Sequence, residues 1–143
     1  MPLPQAEAPL IFVAEDDPLM LDLITTRLKL AGYWTAQARE GWEAVHRIQE
    51  MKPKAVLLDV NLPGLSGFQV LRTLRDGGPR GIGPVMMLTA RNSESDLRTA
   101  IALGAKDYMT KPFEDARMLQ RVERLLRIGA RRPSAAPSAS VIV

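Results

Sequence analysis

Apolar and polar positions alternate along this chain in two periods that take turns. Leu10–Ala14 (LIFVA), Ala55–Asp59 (AVLLD) and Val85–Thr89 (VMMLT) are short, almost unbroken apolar runs. Runs of that length and purity predict strands buried on both faces of a parallel sheet. Tyr33–Ala38 and the short Asp107–Thr110 are more mixed and read as the second and fifth strands. Between the runs the period changes to that of an amphipathic helix. Asp17 and Pro18 form an N-cap and first-turn pair, and the helix they open carries Leu21, Ile24 and Leu28 inward and stops at Gly32. Gly41–Met51 places Val45 and Ile48 inward, and Pro53 closes it. Ser66–Asp76 is a third helix. Ser93–Leu103 is a fourth, with Leu97, Ala100 and Ile101 expected inward and Gly104 at its end. Glu114–Ile128 is the last, with Met118, Leu119, Val122, Leu125 and Leu126 on one stripe.

Strict alternation of strand and helix gives an α/β fold, (βα)5, with a doubly wound parallel sheet. Five strands fit the flavodoxin-like order 2-1-3-4-5 in a single domain. Residues 10–129 make that domain. Residues 1–9 hold three prolines and read as a flexible lead. Residues 130–143 are rich in Pro, Ser and Ala and are expected to be a disordered tail or an interdomain linker.

Composition removes several chemistries. The 143 residues include no cysteine and one histidine, His46. Disulfides, thiolate metal sites, cysteine nucleophiles and multi-histidine metal sites are therefore excluded. With 5% aromatic residues the chain has little stacking surface for bases, and Trp34 and Trp42 read as packing residues. No apolar run approaches the ~18 residues of a membrane span, and the N-terminus lacks a secretory pattern. A cytoplasmic protein without membrane contact is expected. The net charge is +3, but seven basic residues stand against three acidic ones from Lys111 onward. That excess reads as a solvated helix face, so no direct nucleic-acid binding is expected of this domain.

In an open parallel sheet, ligands gather at the carboxyl ends of the strands. Here those ends carry Glu15-Asp16-Asp17, Asp59, Thr89-Ala90 and Thr110-Lys111-Pro112. Strands 1 and 3 are neighbours in the expected order, so Asp16 and Asp59 should face each other. Asp17 reads as a helix cap alone. Crowded carboxylates without nearby His or Cys suit a hard cation, Mg2+ or Mn2+. Lys111 adds a point charge for a phosphate and Thr89 a hydroxyl. Together they describe a phosphoryl-transfer site with Asp59 as a candidate nucleophile.

Four segments in order, VAEDDP (13–18), LLDVNLPGLSG (57–67), MLTA (87–90) and GAKDYMTKPF (104–113), resemble the receiver domain of bacterial two-component response regulators. The resemblance covers about residues 10–128. It implies that Asp59 is the phosphoacceptor for a sensor histidine kinase or phosphotransfer protein. Glu15 and Asp16 would be the acidic pair, with Mg2+ bound by Asp16, Asp59 and the Asn61 backbone carbonyl, and by Glu15 through water. Thr89 would be the switch hydroxyl, Ala90 the small neighbour of the phosphate, Lys111 the phosphate's counter-charge and Tyr108 the aromatic switch. Pro112 would follow a cis peptide bond. Output would pass through the face of the fourth helix, fifth strand and fifth helix, to a homodimer partner, an output domain or a partner protein. Leu62 and Ser66 depart from the family's common Met and Asp.

Two other functions fit less well. An aspartate-nucleophile phosphatase usually has a second aspartate where Asn61 stands. A flavin carrier needs a phosphate-cradling loop after strand 1, where EDDP would repel a phosphate. No GxxxxGK[ST] is present for P-loop hydrolysis.

Overall fold

The expected alternation is realised in a computed structural model that describes residues 3–77, 82–90 and 93–130. In chain order the elements are β1 (Leu10–Ala14), α1 (Pro18–Leu30), β2 (Trp34–Ala38), α2 (Gly41–Met51), β3 (Ala55–Asp59), α3 (Gly67–Asp76), β4 (Val85–Thr89), α4 (Glu94–Ala102), β5 (Asp107–Thr110) and α5 (Asp115–Ala130). The strands form one parallel sheet in the order β2-β1-β3-β4-β5. The proposed flavodoxin-like, doubly wound arrangement is therefore present.

Successive residues of a strand point to opposite faces, and the two cores follow that rule. Phe12, Ala14, Val56, Leu58 and Met87 pack with Val45 and Ile48 of α2, Val70 and Leu74 of α3, and Ala100 of α4. Ile11, Val13, Leu57, Met86 and Leu88 pack on the other face with Leu21, Ile24 and Leu28 of α1 and Met118, Val122 and Leu125 of α5. Burial on both faces explains why β1, β3 and β4 are continuous apolar runs.

The helix starts are fixed by side chains. Asp17 Oδ1 accepts the Leu19 amide at 3.0 Å ahead of Pro18. Ser66 and Gln69 form a reciprocal capping box on α3, and Ser93 caps α4. At α2 the cap is Glu40, whose carboxylate accepts the Trp42 and Glu43 amides. Gly32 takes φ +97°, the left-handed turn that ends α1.

Three expectations change. Leu97 and Ile101 do not face the core: they are 37% and 62% exposed, whereas Ala100 is fully buried. At 3.6 residues per turn, Leu97 lies about 60° and Ile101 about 100° round the helix from Ala100, in the order of their exposure. α4 thus rests on the sheet through a small residue and turns its large ones outward. Trp42 is also half exposed, because Ala44, Val45 and Ile48 form the buried side of α2. Within residues 1–9, read as a flexible lead, Gln5, Ala8 and Pro9 make hydrogen bonds with one another or with Trp34. Trp34 donates its indole N–H to the Gln5 carbonyl at 2.9 Å and its amide to the Pro9 carbonyl at 3.0 Å. Residues 78–81 of the glycine-rich loop, and residues 131–143 of the tail, lie outside the described residues.

Among the described residues, no helix is long and apolar enough to cross a membrane. A cavity of about 730 Å3, bordered by Leu10, Met51, Pro84 and Leu126, opens at the amino ends of the strands. It is far from the polar residues at the carboxyl ends, so the volume of a cavity does not mark the chemistry here.

Core and surface positions should respond very differently to truncation. Leu28→Ala removes a fully buried side chain and should cost about 2–5 kcal/mol. Ile101→Ser should stay within about 0.5 kcal/mol of the parent. Urea unfolding followed by circular dichroism measures both.

Candidate functional site

The sheet register decides which polar residues meet. Ala14 stands opposite Leu58, so the chain leaves β1 at Glu15 beside the end of β3 at Asp59. Asp59 stands opposite Leu88, and Thr89 opposite Thr110. Lys111, the residue after β5, therefore emerges two strands away from Asp59, within reach of a long side chain.

Its ammonium nitrogen lies 2.6 Å from Glu15 Oε1 and 2.9 Å from Asp59 Oδ2. Both carboxylates are buried, and the Lys111 side chain is only 15% exposed. The remaining oxygens are also engaged: Glu15 Oε2 accepts the Asp17 amide at 3.1 Å, and Asp59 Oδ1 accepts the Asn61 amide at 3.0 Å. Two buried carboxylates thus share one cation and two backbone donors. Burial pushes the Glu15 carboxyl above its ordinary range, and the Asp59 charge adds to this. The Lys111 hydrogen bond and the Asp17 amide pull the other way without cancelling it. Burial alone would lower the Lys111 ammonium, but hydrogen bonds to Glu15 and Asp59, and their charges, carry it above the ordinary value. Lys111 is therefore held protonated at neutral pH.

The other sequence candidates are placed around this centre. Asp16 lies outside it, exposed at the rim; its backbone carbonyl accepts the Arg39 guanidinium. Asn61 is exposed just beyond Asp59, and Thr89 is fully buried at the end of β4 with exposed Ala90 following. The Thr89 carbonyl accepts the Lys111 amide at 2.7 Å, tying the ends of β4 and β5 together. Tyr108 is half-buried, against the core that holds α2, α3 and α4. The Lys111–Pro112 peptide bond is cis. Sequence reasoning expected Glu15, Asp16 and Asp59 to crowd together. Instead Lys111 bridges the inner two, offsetting one of their two charges, and the register leaves Asp16 on the rim.

A metal ion would find oxygen donors only, which suits a hard cation. Among the described residues, no group of three or more acidic, histidine or cysteine side chains is gathered to hold one. The donor set on offer is Asp16, Asp59 and backbone oxygen, completed by water. Mg2+ is commonly held by one or two carboxylates and several waters, so these residues fit it.

The loop after Asp59 is held by close packing against backbone. A Cβ on Gly67 would sit 2.1 Å from the Asp59 carbonyl oxygen, and the Gly67 amide donates to the Val60 carbonyl at 2.8 Å. Gly41 lies under the same loop, where a Cβ would meet the Leu65 carbonyl at 2.3 Å. Neither glycine has a left-handed φ; close approach is what requires them. The sequence places Gly41 at a helix start and Gly67 at the end of the 57–67 motif, and does not reveal this packing role for either.

A buried aspartate and glutamate clasping one lysine, at the carboxyl edge of a 2-1-3-4-5 parallel sheet, define a receiver-type α/β domain. Comparison with known proteins agrees. The family model "Response regulator receiver domain" matches residues 11–123, and the chain belongs to that family. It is 37% identical over 134 residues to the DNA-binding dual master transcriptional regulator RpaA of Synechocystis, covering 94% of this chain and 56% of that protein. It is 37% identical over 131 residues to the alkaline phosphatase synthesis transcriptional regulatory protein PhoP of Bacillus subtilis, covering 92% and 52%. The chain thus spans about half the length of these curated relatives. Among solved structures it is similar to the receiver domain of sensor histidine kinase PA1611 from Pseudomonas aeruginosa, which has a magnesium ion coordinated in its active site cleft. The TM-score is 0.76 at 28% identity, over 84% of this chain and 98% of that one.

Two substitutions test the geometry. Lys111→Met leaves two buried carboxylates without their cation and should cost about 3 kcal/mol at neutral pH. The loss should shrink as pH falls, because the raised Glu15 carboxyl gives up its charge before an ordinary glutamate would. In the parent, the raised Lys111 contributes fully below the ordinary lysine value of 10.5, and its contribution fades as pH rises through the folded-state value. Gly67→Ala should cost about 1–3 kcal/mol by overpacking. Denaturant titrations at three pH values measure both.

Proposed function

We propose that this chain is the receiver of a two-component response regulator that is phosphorylated on Asp59. The observation that carries the reading is the Lys111 ammonium shared by Asp59 and Glu15. A buried carboxylate with a protonated lysine at one oxygen and a backbone amide at the other is oriented and charged for in-line attack on phosphorus.

The donor is a phosphohistidine of a sensor histidine kinase or phosphotransfer protein. An Asp59 oxygen forms the new P–O bond, the P–N bond breaks, and its electron pair leaves on the imidazole nitrogen. Lys111 then turns from the lost carboxylate charge to the phosphoryl oxygens. A bound Mg2+, held by Asp16, Asp59, the Asn61 carbonyl and, through water, Glu15, would neutralise charge on those oxygens. Thr89 ends β4 and Ala90 follows it at the same edge: the hydroxyl is suited to a phosphoryl oxygen, and the methyl leaves it room. The chain catalyses only its own phosphorylation and dephosphorylation.

The signal leaves through the α4-β5-α5 face. Phosphorylation adds about −1.5 to −2 charges beside Lys111 and Thr89, and movement of Thr89 opens space for Tyr108. The exposed Leu97 and Ile101 of α4, with Arg124 of α5 beside them and Arg121 paired to Asp107 of β5, give that face both apolar and charged contacts. A second copy of the chain, an output domain or a partner protein would bind there. The curated relatives are named as DNA-binding or transcriptional regulators and extend well beyond the matched region, which supports an output domain that binds DNA where this domain does not.

Acetyl phosphate with Mg2+ should place one phosphoryl group on Asp59, found by peptide mass spectrometry after borohydride trapping. Asp59→Ala should incorporate none. Equal incorporation in that variant would refute the assignment.

A further inference from the structure

Arg39 is a second cation at this edge, and the phosphorylation reading gives it no part. Glu15 donates its amide to the Ala38 carbonyl at 3.1 Å, extending the β1–β2 ladder past Ala14. Glu15 and Arg39 therefore leave the sheet side by side. The Arg39 side chain then turns back over β1, and its Nε and one terminal nitrogen donate to the Asp16 backbone carbonyl at 3.4 and 3.3 Å. The Arg39 amide is itself fixed by Glu43 Oε1 at 3.3 Å.

Two features make this more than a surface contact. The acceptor is a neutral carbonyl, and among the described residues no carboxylate forms an ion pair with the guanidinium. Its full charge is thus delivered to the rim of the acidic site. The carbonyl also belongs to Asp16, one of the two carboxylates on offer to a divalent ion. Lys111 is committed to Glu15 and Asp59 inside the site, whereas Arg39 stands at its rim.

We propose that Arg39 is a specificity-determining residue at the rim of the site, which attracts anionic phosphodonors and lowers the affinity for the divalent cation. The inference rests on the reading of Asp59 as phosphoacceptor. Its physics is elementary: a fixed positive charge draws a phosphate dianion toward a negatively charged cleft and repels a dication held beside Asp16. Both effects act through solvent and should fade with salt. A residue that merely braced the turn would act through shape, and its effect would not depend on salt.

The experiment compares wild type, Arg39→Gln and Arg39→Lys. Calorimetric titration with MgCl2 alone reads cation affinity without any turnover. Arg39→Gln should bind Mg2+ about two- to threefold more tightly at low ionic strength, and Arg39→Lys should match wild type. With saturating Mg2+, phosphorylation by acetyl phosphate should be about threefold slower in Arg39→Gln at low salt and should equal wild type at about 0.5 M salt. Unchanged or weaker Mg2+ binding in Arg39→Gln would overturn the proposal, as would an unchanged rate or a salt-independent loss. Failure of Arg39→Lys to restore the wild-type values would also overturn it. If wild type itself takes no phosphoryl group on Asp59, the functional reading fails. If wild type is modified and Arg39→Gln behaves identically, only the role of Arg39 fails.

Discussion

One ammonium group lies between two carboxylates that the sheet has taken out of water, and the site is organised around it. Glu15 follows β1, Asp59 ends β3 and Lys111 follows β5, so three separate strands must be in register for the contact to form. Buried charge is tolerated only when paired and hydrogen-bonded. Here each carboxylate has the lysine on one oxygen and a backbone amide on the other. The arrangement is complete and yet unbalanced, with two negative charges against one positive. That residual charge is what a divalent cation would answer. Burial raises the Glu15 carboxyl and the Asp59 charge adds to it, while hydrogen bonds to both carboxylates keep Lys111 protonated.

The packing beneath the site is stiff where the chemistry needs it and loose where a signal would leave. β1, β3 and β4 are buried on both faces, and Gly41 and Gly67 let backbone approach backbone around the loop after Asp59. α4, by contrast, rests on Ala100 and carries Leu97 and Ile101 in solvent. A helix seated on a small residue has little apolar area to hold it in one position. The same helix flanks β5, whose last residue precedes Lys111, so a helix with one small buried residue lies beside the strand that delivers the cation.

Much of this was legible in the residues. The three apolar runs gave the buried strands, because burial on both faces removes the need for alternation. The polar residues at their carboxyl ends gave the members of the site. The orientation of α4 was not legible: Leu97, Ala100 and Ile101 share a helical stripe, and only the sheet decides which edge of it is buried. The clasp of Lys111 on Glu15 was hidden for a related reason. Periodicity reports which face a side chain takes, not how far it reaches along that face. Glu40 as a cap and Arg39 on the Asp16 carbonyl likewise depend on contacts between segments.

The central claim is that Lys111 is simultaneously hydrogen-bonded to Glu15 and Asp59 in the unphosphorylated protein. Nitrogen–carbon couplings through hydrogen bonds, measured by NMR on the lysine ammonium groups at low temperature, test it directly. The account predicts a slowly exchanging Lys111 ammonium coupled to both the Glu15 and the Asp59 carboxylate carbons. A Lys111 ammonium in fast exchange with water and coupled to neither would contradict it.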